Sequence, residues 1–251
     1  MKPLIFDIGM YDGSDTGYYL ETGHRVVAVE ANPELIAVAA QRFASDVTSG
    51  ALTLVNAAIS RESGKTLELL TARNDLGSSS LLPSHIAKRG GSDRSFSVTS
   101  MTMGDLFAKY GVPLFVKCDI EGADRDCVLA LTKENRPEYL SFEVGDDAEE
   151  LIEHAARCGY DGFKIINQLT FRPLQENNSI RARVAMKIIR LLGYDEPNYR
   201  YFAGRKFVLG HSAGPAPFES AGKWIPKQDA LALWRRDKSP VWYDVHCKAG
   251  H

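Results

Sequence analysis

The segment from residue 4 to residue 33 constrains the fold of this chain most strongly. It begins with an apolar stretch, Leu4–Ile8, which predicts a strand, and a helix-like stretch follows at Ser14–Glu21. A second apolar strand is predicted at Arg25–Val29, and it ends on Glu30. Two strands joined by a helix form a βαβ unit, in which ligands bind at the carboxyl ends of the strands. The sequence therefore predicts a nucleotide-cofactor site close to the N-terminus.

The loop after the first strand contains Gly9 and Gly13. A glycine just past a strand lets the backbone approach a ligand closely and adopt angles that other residues resist. An acidic residue at the tip of the second strand can accept both ribose hydroxyls of an adenosine. Glu30 is therefore interpreted as a ribose-binding residue. Dinucleotides such as NAD and S-adenosylmethionine both use this arrangement.

The composition of the loop favours S-adenosylmethionine. The dinucleotide fingerprint is G-x-G-x-x-G, whereas this chain reads D-x-G-x-x-x-G, with Tyr11 where a small residue would be wanted. The carboxylates of Asp7, Asp12 and Asp15 would repel a pyrophosphate but suit the ammonium and sulfonium charges of S-adenosylmethionine. As an alternative, Asp12 and Asp15 only cap the helix and complement its dipole. Asp7 closes an otherwise buried strand, and such a carboxylate needs a partner.

A motif further along the chain makes the assignment more specific. Phe115–Asp124 reads FVKCDIEGAD, which has the form K-x-D-x-E-G. With FDIGMYDG, VVAVEANP, VNAAIS and YLSFEV in this order, the chain resembles the FkbM-type family of S-adenosylmethionine-dependent methyltransferases from Lys2 to Val144. The first loop of that family commonly reads D-x-G-A-N-x-G, and Met10 and Tyr11 depart from it. The resemblance implies an α/β class I methyltransferase (Rossmann-like) fold, a doubly wound, mostly parallel sheet with helices on both faces.

The predicted cofactor-binding residues follow the first four strands. The resemblance implies that Asn56 and Ala57, after a strand at Leu52–Val55, contact the adenine; a simple turn is the alternative. Residues 74–94 are rich in Gly and Ser and predict a loop, in which Ser79 either closes over the methionine end or lies in solvent. The complete predicted set is Asp7, Gly9, Met10, Tyr11, Gly13, Asp15, Thr16, Glu30, Ala31, Asn56, Ala57, Ser79, Asp119 and Glu121.

The catalytic residues are predicted among acids at the ends of strands four and five. Methyl transfer is an in-line displacement, so aligning the acceptor oxygen and excluding water supply most of the acceleration. A base need only remove the hydroxyl proton as the new bond forms. Asp119 is the first candidate for orienting or deprotonating the hydroxyl, and Glu143 is the second. His246, after a short strand-like run near the end of the chain, is a further candidate base.

Two alternatives stay open for these acids. Glu121 could be the N-terminal carboxylate of a helix at Gly122–Leu131, with Lys117 paired to one of the acids. Clustered carboxylates are also oxygen ligands suited to magnesium. A divalent metal is possible but not favoured, since the sequence contains no clear ligand set.

Composition limits the class of protein. With 251 residues, 44% hydrophobic and 25% charged, the chain can bury one substantial core. A net charge of −2 gives no general attraction to nucleic acid. No apolar run reaches the roughly 18 residues of a membrane span, and the first residues predict a core strand instead of a signal sequence. The cysteines have no metal-binding spacing, which indicates reduced thiols and a cytoplasmic protein; they are Cys118, Cys127, Cys158 and Cys247.

The chain is predicted to form a single methyltransferase domain, 1–251. Residues 1–167 form its cofactor-binding core, 168–204 an insertion with helical and aromatic segments, and 205–251 a C-terminal segment that faces substrate. In the insertion, Arg183, Lys187 and Arg190 form a basic stripe beside an apolar one that runs from Ile180 to Leu191. The basic stripe either holds an acidic substrate or is a solvated face. Aromatic residues of the insertion and tail could stack on sugars or pack in a core; they include Trp224, Trp234, Trp242 and Tyr243.

The predicted function is methyl transfer from S-adenosylmethionine to a hydroxyl oxygen of a sugar or a glycosylated metabolite. The O-methylation and the carbohydrate acceptor come from the family resemblance, whereas the cofactor is also indicated by the residues. Two alternatives are an NAD-dependent oxidoreductase or epimerase and a non-catalytic regulatory scaffold that binds S-adenosylmethionine. The expected partner is a small-molecule acceptor and not a nucleic acid. The sequence does not indicate an oligomeric state.

Overall fold

The computed structural model describes residues 2–72, 75–81, 83–88, 91–120, 123–168, 170–174, 184, 199–202, 204–208, 211–237 and 242–250. These residues belong to two compact units, Met1–Pro137 and Glu138–His251. The division of the chain into a core, an insertion and a C-terminal segment stays a prediction. Within the described ranges, every helix is too short or too polar to cross a membrane.

The first unit alternates strands and helices. Its strands are β1 Leu4–Ile8, β2 Arg25–Glu30, β3 Leu52–Asn56, β4 Ala58–Ile59, β5 Thr66–Ala72, β6 Asp75–Ser80, β7 Ser92–Met101 and β8 Phe115–Cys118. Its helices are α1 Ser14–Glu21, α2 Pro33–Arg42, α3 Ala44–Ser49, α4 Pro83–Lys88, α5 Met103–Tyr110 and α6 Asp124–Leu129.

Four strands of this unit form a parallel sheet in the order β8-β1-β2-β3. The predicted βαβ unit is its centre, since β1 pairs with β2 through the α1 connection. The sequence also predicts two helix starts, with Asn32 as the cap before Pro33 and Thr102 as the cap of a helix at Met103–Tyr110, and both are confirmed. Asn32 accepts from the backbone N–H of Glu34 at 2.9 Å, with Pro33 as the first helical residue, and Thr102 forms a capping box with Asp105.

Helices cover both faces of this parallel sheet. Directly paired residues on neighbouring strands share a face, and successive residues alternate between faces. Phe115 meets Tyr19 of α1 edge-on at 5.8 Å between ring centroids, whereas Phe6 stacks on Phe107 of α5 at 5.9 Å. Phe115 pairs with Ile5, so Phe6 lies on the opposite face. The helices α1 and α5 therefore pack on opposite faces, and the predicted Rossmann-like α/β fold is confirmed for this unit.

A second sheet of the first unit has the strand order β4-β7-β5-β6. The sequence predicts an added strand at Thr66–Thr71 and, from its alternating residues, another at Ser95–Thr99. Both are confirmed as parts of β5 and β7. The prediction of a loop over 74–94 was wrong, because the described residues of this range include β6, α4 and the start of β7. Antiparallel pairing with β5 supplies the β6 backbone with hydrogen bonds. This pairing outweighs the weak strand propensity of Gly and Ser.

The second unit contains an antiparallel sheet. Its strands pair in the order β11-β10-β14-β9, and a separate hairpin joins β12 to β13. The strands are β9 Tyr139–Glu143, β10 Tyr160–Asn167, β11 Arg172–Pro173, β12 Tyr199–Phe202, β13 Arg205–Val208 and β14 Tyr243–Ala249. The helices in this unit's described residues are α7 Ala148–Arg157 and α8 Lys227–Arg236. The sequence also predicts a helix at Ala148–Arg157, which is confirmed.

Candidate active site

A cavity of about 600 Å³, including space open to solvent, lies within the first unit. Residues at the carboxyl ends of β1, β2 and β8 line one part of it, and residues of the second sheet line another. This edge of a parallel sheet is where open α/β folds bind ligands. Of the residues predicted to bind a cofactor, seven line this cavity: Gly9, Tyr11, Glu30, Ala31, Ala57, Ser79 and Asp119.

The loop after β1 turns sharply at the cavity wall. Gly9 and Gly13 adopt positive φ angles of 83° and 77°, and Tyr11 adopts a φ of 52°. The backbone N–H groups of Gly9 and Met10 both donate to the carbonyl of Val29, at 3.0 and 3.1 Å. A Cβ atom on Gly9 would overlap the carbonyl oxygen of Asp119. Glycine is therefore required here because the β1 and β8 ends approach too closely for a side chain.

The carboxylate of Glu30 is held in place by two backbone donors. Its Oε2 accepts from the N–H of Tyr11 at 3.0 Å, and its Oε1 accepts from the N–H of Asn32 at 2.8 Å. Burial raises the pKa of Glu30, whereas these backbone donors lower it. Each carboxylate oxygen has a second lone pair, so Glu30 can still accept hydrogen bonds from a ligand in the cavity.

A buried charged cluster lies beside the β1 and β8 ends. The Nζ of Lys117 is 3.3 Å from Asp7 Oδ1, 3.2 Å from Asp15 Oδ2 and 3.4 Å from Asp119 Oδ2. It also donates to the carbonyl of Gly9 at 3.2 Å. Lys117 pairs with Asp7 in the sheet, so both side chains lie on the face that α1 covers. The alternative in which Lys117 pairs with an acid is therefore observed.

Burial and charge set the protonation of this cluster. Burial alone would lower the pKa of Lys117, but the carboxylates of Asp7, Asp119 and Asp15 raise it well above its ordinary value. Burial raises the pKa of Asp7; Lys117 opposes this rise, and the nearby Asp15 adds to it. Thr16 also donates to Asp7 Oδ2 at 2.6 Å. Lys117 is thus a permanent cation near neutral pH.

The cavity separates the predicted residues into two groups. The buried cluster includes Asp7 and Asp15, and Thr16 donates a hydrogen bond to Asp7. Asn56 donates to the carbonyls of Glu30 and Ala31 at 2.9 Å each. These four residues, with Met10 and Gly13, do not line the cavity. Glu121 lies outside the described residues. The cofactor-binding roles of all fourteen residues stay predictions.

Many of the residues that line the cavity, most of them apolar, were not predicted from the sequence. These residues line the cavity without having been predicted: Ile8, Val29, Leu35, Ala58, Ile59, Leu69, Ser80, Leu81, Ile120 and Ala123. Ile120 and Ala123 belong to the FVKCDIEGAD motif, which was a signal for them. Leu69, Ser80 and Leu81 belong to or follow the second sheet, and the loop prediction over 74–94 concealed the contribution of Ser80 and Leu81.

Two predicted catalytic residues belong to the second unit. Glu143 is the last residue of β9 and is half-buried. His246 is in the middle of β14 and is buried, with its Nδ1 at 3.1 Å from the hydroxyl of Ser220. Burial, followed by the positive charge of Lys164, lowers the pKa of His246 to about 3. The ring is therefore neutral near pH 7, and the catalytic roles of both residues stay predictions.

Replacing His246 with glutamine is expected to change the acid sensitivity of the protein. Because the folded-state pKa of about 3 is below the ordinary value of 6.5, the unfolded chain binds the proton first as the pH falls. Wild type should lose about 1.4 kcal/mol per pH unit relative to the variant between pH 6 and 4. Urea unfolding at a series of pH values measures this difference. If the free energy of unfolding changed equally with pH in the two proteins, His246 would not be buried as a neutral ring.

The other predicted elements of the second unit have mixed outcomes. Arg183, Lys187 and Arg190 of the basic stripe lie outside the described residues, as does most of the apolar stripe. Tyr243 is buried and meets Trp234 edge-on at 6.1 Å, so these aromatics pack together. Trp242 is 45% exposed.

All four cysteines are buried and form no disulfide. Within the part of the chain that the structure describes, no three His, Cys, Asp or Glu residues are grouped to hold a metal.

Comparison with known proteins adds a family match. The model of the Methyltransferase FkbM domain matches residues 7–162 of this chain. No curated protein sequence matches the chain significantly.

Three solved methyltransferase structures are similar to this chain. Precorrin-6y C5,15-methyltransferase from Geobacter metallireducens GS-15 has a TM-score of 0.40 and 12% identity, covering 99% of this chain and 80% of that one. The C-terminal domain of precorrin-6Y C5,15-methyltransferase from Rhodobacter capsulatus has a TM-score of 0.41 and 10% identity, covering 100% and 81%. A TehB-like SAM-dependent methyltransferase from Corynebacterium glutamicum ATCC 13032 Kitasato has a TM-score of 0.35 and 14% identity, covering 65% and 68%.

Proposed function

This chain belongs to the FkbM methyltransferase family, and from that premise we propose that it methylates a hydroxyl oxygen of a sugar or of a glycosylated metabolite. The family assignment makes the chain an S-adenosylmethionine-dependent methyltransferase. The hydroxyl acceptor and its carbohydrate nature are the parts that we propose. The single observation that carries the hydroxyl acceptor is the placement of Asp119 at the wall of the cavity, whereas the carbohydrate acceptor rests on the family resemblance.

Asp119 differs from the other acids of its cluster in exposure. Its side chain is 43% exposed and lines the cavity, whereas the side chains of Asp7 and Asp15 are 0% and 2% exposed. A carboxylate at the wall of a cavity can accept a hydrogen bond from a hydroxyl group and take its proton as a new bond forms. This supports an alcohol acceptor, for which proton removal accompanies methyl transfer.

The residues of the cavity fit S-adenosylmethionine. Gly9 lies in the cavity wall at the end of β1, and Glu30 offers acceptor oxygens to ribose hydroxyls. Leu35, Ile59 and Leu81 supply apolar surface for an adenine ring. When bound, S-adenosylmethionine supplies an electrophilic methyl group. The chain binds and orients the cofactor, limits the access of water, and holds the acceptor hydroxyl against Asp119.

A transfer assay with isotope-labelled S-adenosylmethionine tests this proposal. The acceptors are a panel of free sugars and glycosides, with matched deoxy and amino sugars as controls. We expect label on a hydroxyl-bearing sugar and none on the corresponding deoxy sugar. Label on amino groups alone would contradict O-methylation, and label on non-carbohydrate alcohols alone would contradict the sugar acceptor. Binding of S-adenosylmethionine without transfer to any acceptor would favour the regulatory scaffold, and binding of NAD would favour the oxidoreductase.

Replacing Glu30 with alanine is expected to weaken the binding of S-adenosylhomocysteine by about 1 to 3 kcal/mol, the usual loss when a charged hydrogen-bond acceptor is removed. The loss has two sources, since Glu30 faces the cavity and also holds the Tyr11 and Asn32 backbone. Calorimetric titration measures the affinity. Glu34→Ala is the matched control, because Glu34 is an exposed acid that pairs with Arg94 and does not line the cavity. Equal affinities for the Glu30 variant and wild type would rule out the ribose-binding role.

A further inference from the structure

The side chain of Lys117 approaches the cavity wall from behind. It is 4% exposed and does not line the cavity. Its Nζ lies within 3.4 Å of oxygen atoms of two residues that do line the cavity, Gly9 and Asp119. It also lies within 3.4 Å of carboxylate oxygens of Asp7 and Asp15, which are buried. Lys117 therefore joins the buried face under α1 to two parts of the cavity wall.

The contacts of Lys117 complement the backbone hydrogen bonds at the same place. The N–H of Asp119 donates to the carbonyl of Ile8 at 3.0 Å, and the N–H of Gly9 donates to the carbonyl of Val29 at 3.0 Å. These bonds fix the backbone where β1 and β8 end, but they leave the Asp119 carboxylate able to rotate. The ammonium of Lys117 is the group that contacts both this carboxylate and the Gly9 carbonyl.

We propose that Lys117 is a positioning residue, which fixes the Asp119 carboxylate and the Gly9 turn for methyl transfer without touching cofactor or acceptor. This inference rests on the proposed function, because it assigns Lys117 a part in that reaction. An ammonium has three donor hydrogens, which suits it to hold several oxygens from different elements at once. A buried, charge-paired ammonium also has little freedom to move, since leaving its partners would expose unpaired charges.

A purely structural role is the competing explanation. In that case Lys117 would only neutralise Asp7 and Asp15, whose buried charges would otherwise oppose the packing of α1 on β1. Removing Lys117 alone cannot separate the two roles, because it removes the cation beside both carboxylates and can unfold the protein. The separation requires a background in which those two charges are absent.

The test compares two variants that both lack the Asp7 and Asp15 charges. The reference is the double variant Asp7→Asn, Asp15→Asn, in which Lys117 keeps Asp119 as its carboxylate partner, and the second protein is the triple variant that adds Lys117→Met. The triple variant replaces the three most buried charges of the cluster together by neutral groups of similar size, a change that is often neutral for stability. We expect both proteins to fold, and urea unfolding verifies this.

The first measurement is amide hydrogen exchange without any ligand. We expect exchange at Met10, Gly13 and Asp119 to be about tenfold faster in the triple variant than in the double variant, because local opening reports local stability. Amides of the central strand β2 should exchange equally in both proteins. Lys164→Met removes another buried lysine, and it should leave exchange at residues 9–13 as in wild type.

The second measurement is the binding of S-adenosylhomocysteine together with methyl-transfer kinetics. We expect the affinity of the triple variant to be about tenfold lower than that of the double variant, and kcat to fall by more than KM rises. Equal exchange, equal affinity and equal kcat in the two variants would overturn the positioning role and leave Lys117 a neutralising residue. If wild type bound neither S-adenosylmethionine nor S-adenosylhomocysteine, the proposed function would fail, and the ligand-free exchange comparison would still decide whether Lys117 orders the wall.

Discussion

Replacing Asp119 with alanine is expected to lower kcat for methyl transfer by about 100-fold to 10,000-fold, the usual contribution of a positioned acid or base. The reason is that Asp119 is the acid of the Lys117 cluster that lines the cavity, with a side chain that is 43% exposed. In the proposed mechanism, the variant loses both the acceptor of the hydroxyl proton and the group that orients the hydroxyl. Steady-state kinetics with an acceptor from the transfer assay measures the change.

Two comparisons sharpen this prediction. Asp119→Asn keeps the size and one acceptor oxygen but removes the charge, so it distinguishes proton acceptance from simple orientation. Asp126→Asn is the matched control, because Asp126 is a partly exposed acid of the same unit that pairs with Arg61 at 2.7 Å and does not line the cavity. We expect this control to keep the kcat of wild type. A kcat for Asp119→Ala within threefold of wild type would remove Asp119 from the mechanism, since a positioned base contributes about 100-fold or more.

Affinity for S-adenosylhomocysteine must be measured on the same variants, because Asp119 is also predicted to bind the cofactor. If Asp119 acts mainly on the acceptor, its loss lowers kcat far more than it lowers cofactor affinity. If it acts mainly on the cofactor, the affinity falls and kcat at saturating cofactor recovers. The two roles thus give different patterns in one set of experiments.

Local sequence signals were sufficient for the elements around the cavity. The periodicity of residues 4–30 gave the βαβ unit, and Asn32, Pro33 and Thr102 marked helix starts through hydrogen bonds that span only a few residues. Glu30 could be placed at the sheet edge because it closes a strand whose length is apparent from its apolar run. Each of these inferences depends on neighbours that are close in the sequence.

Long-range pairing explains what could not be predicted. The contact of Lys117 with Asp7 requires β8 to lie beside β1 in one particular register, and no local pattern specifies that register. The acids of the first loop were therefore interpreted as facing a ligand, although Asp7 and Asp15 face a buried lysine. The strand β6 was missed for the same reason, since its Gly and Ser residues become a strand only through pairing with β5.

The second large effect is expected at Gly9, in the cavity wall, where the ends of β1 and β8 lie close to each other. We expect Gly9→Ala to destabilise the first unit by more than about 4 kcal/mol, or to prevent folding, which is the range of severe core changes. The added Cβ would overlap the carbonyl oxygen of Asp119 and lie 2.9 Å from Cγ2 of Ile120. The backbone cannot retreat easily, because the N–H of Gly9 and the N–H of Asp119 are both hydrogen-bonded to neighbouring strands.

Gly23→Ala provides the matched control for the cost of the backbone angle alone. Gly23 has a φ of 86°, close to the 83° of Gly9, but a Cβ there would have no atom within 4 Å. The control should lose only about 1 to 2 kcal/mol, the cost of a left-handed conformation for a residue with a side chain. Urea unfolding of both variants measures the difference, and the excess at Gly9 is the cost of forcing β1 and β8 apart. If the two variants lost equal stability, the close approach of Gly9 and Asp119 would not be a fixed feature of the fold, and the cavity wall would lack the rigidity that positioning Asp119 requires.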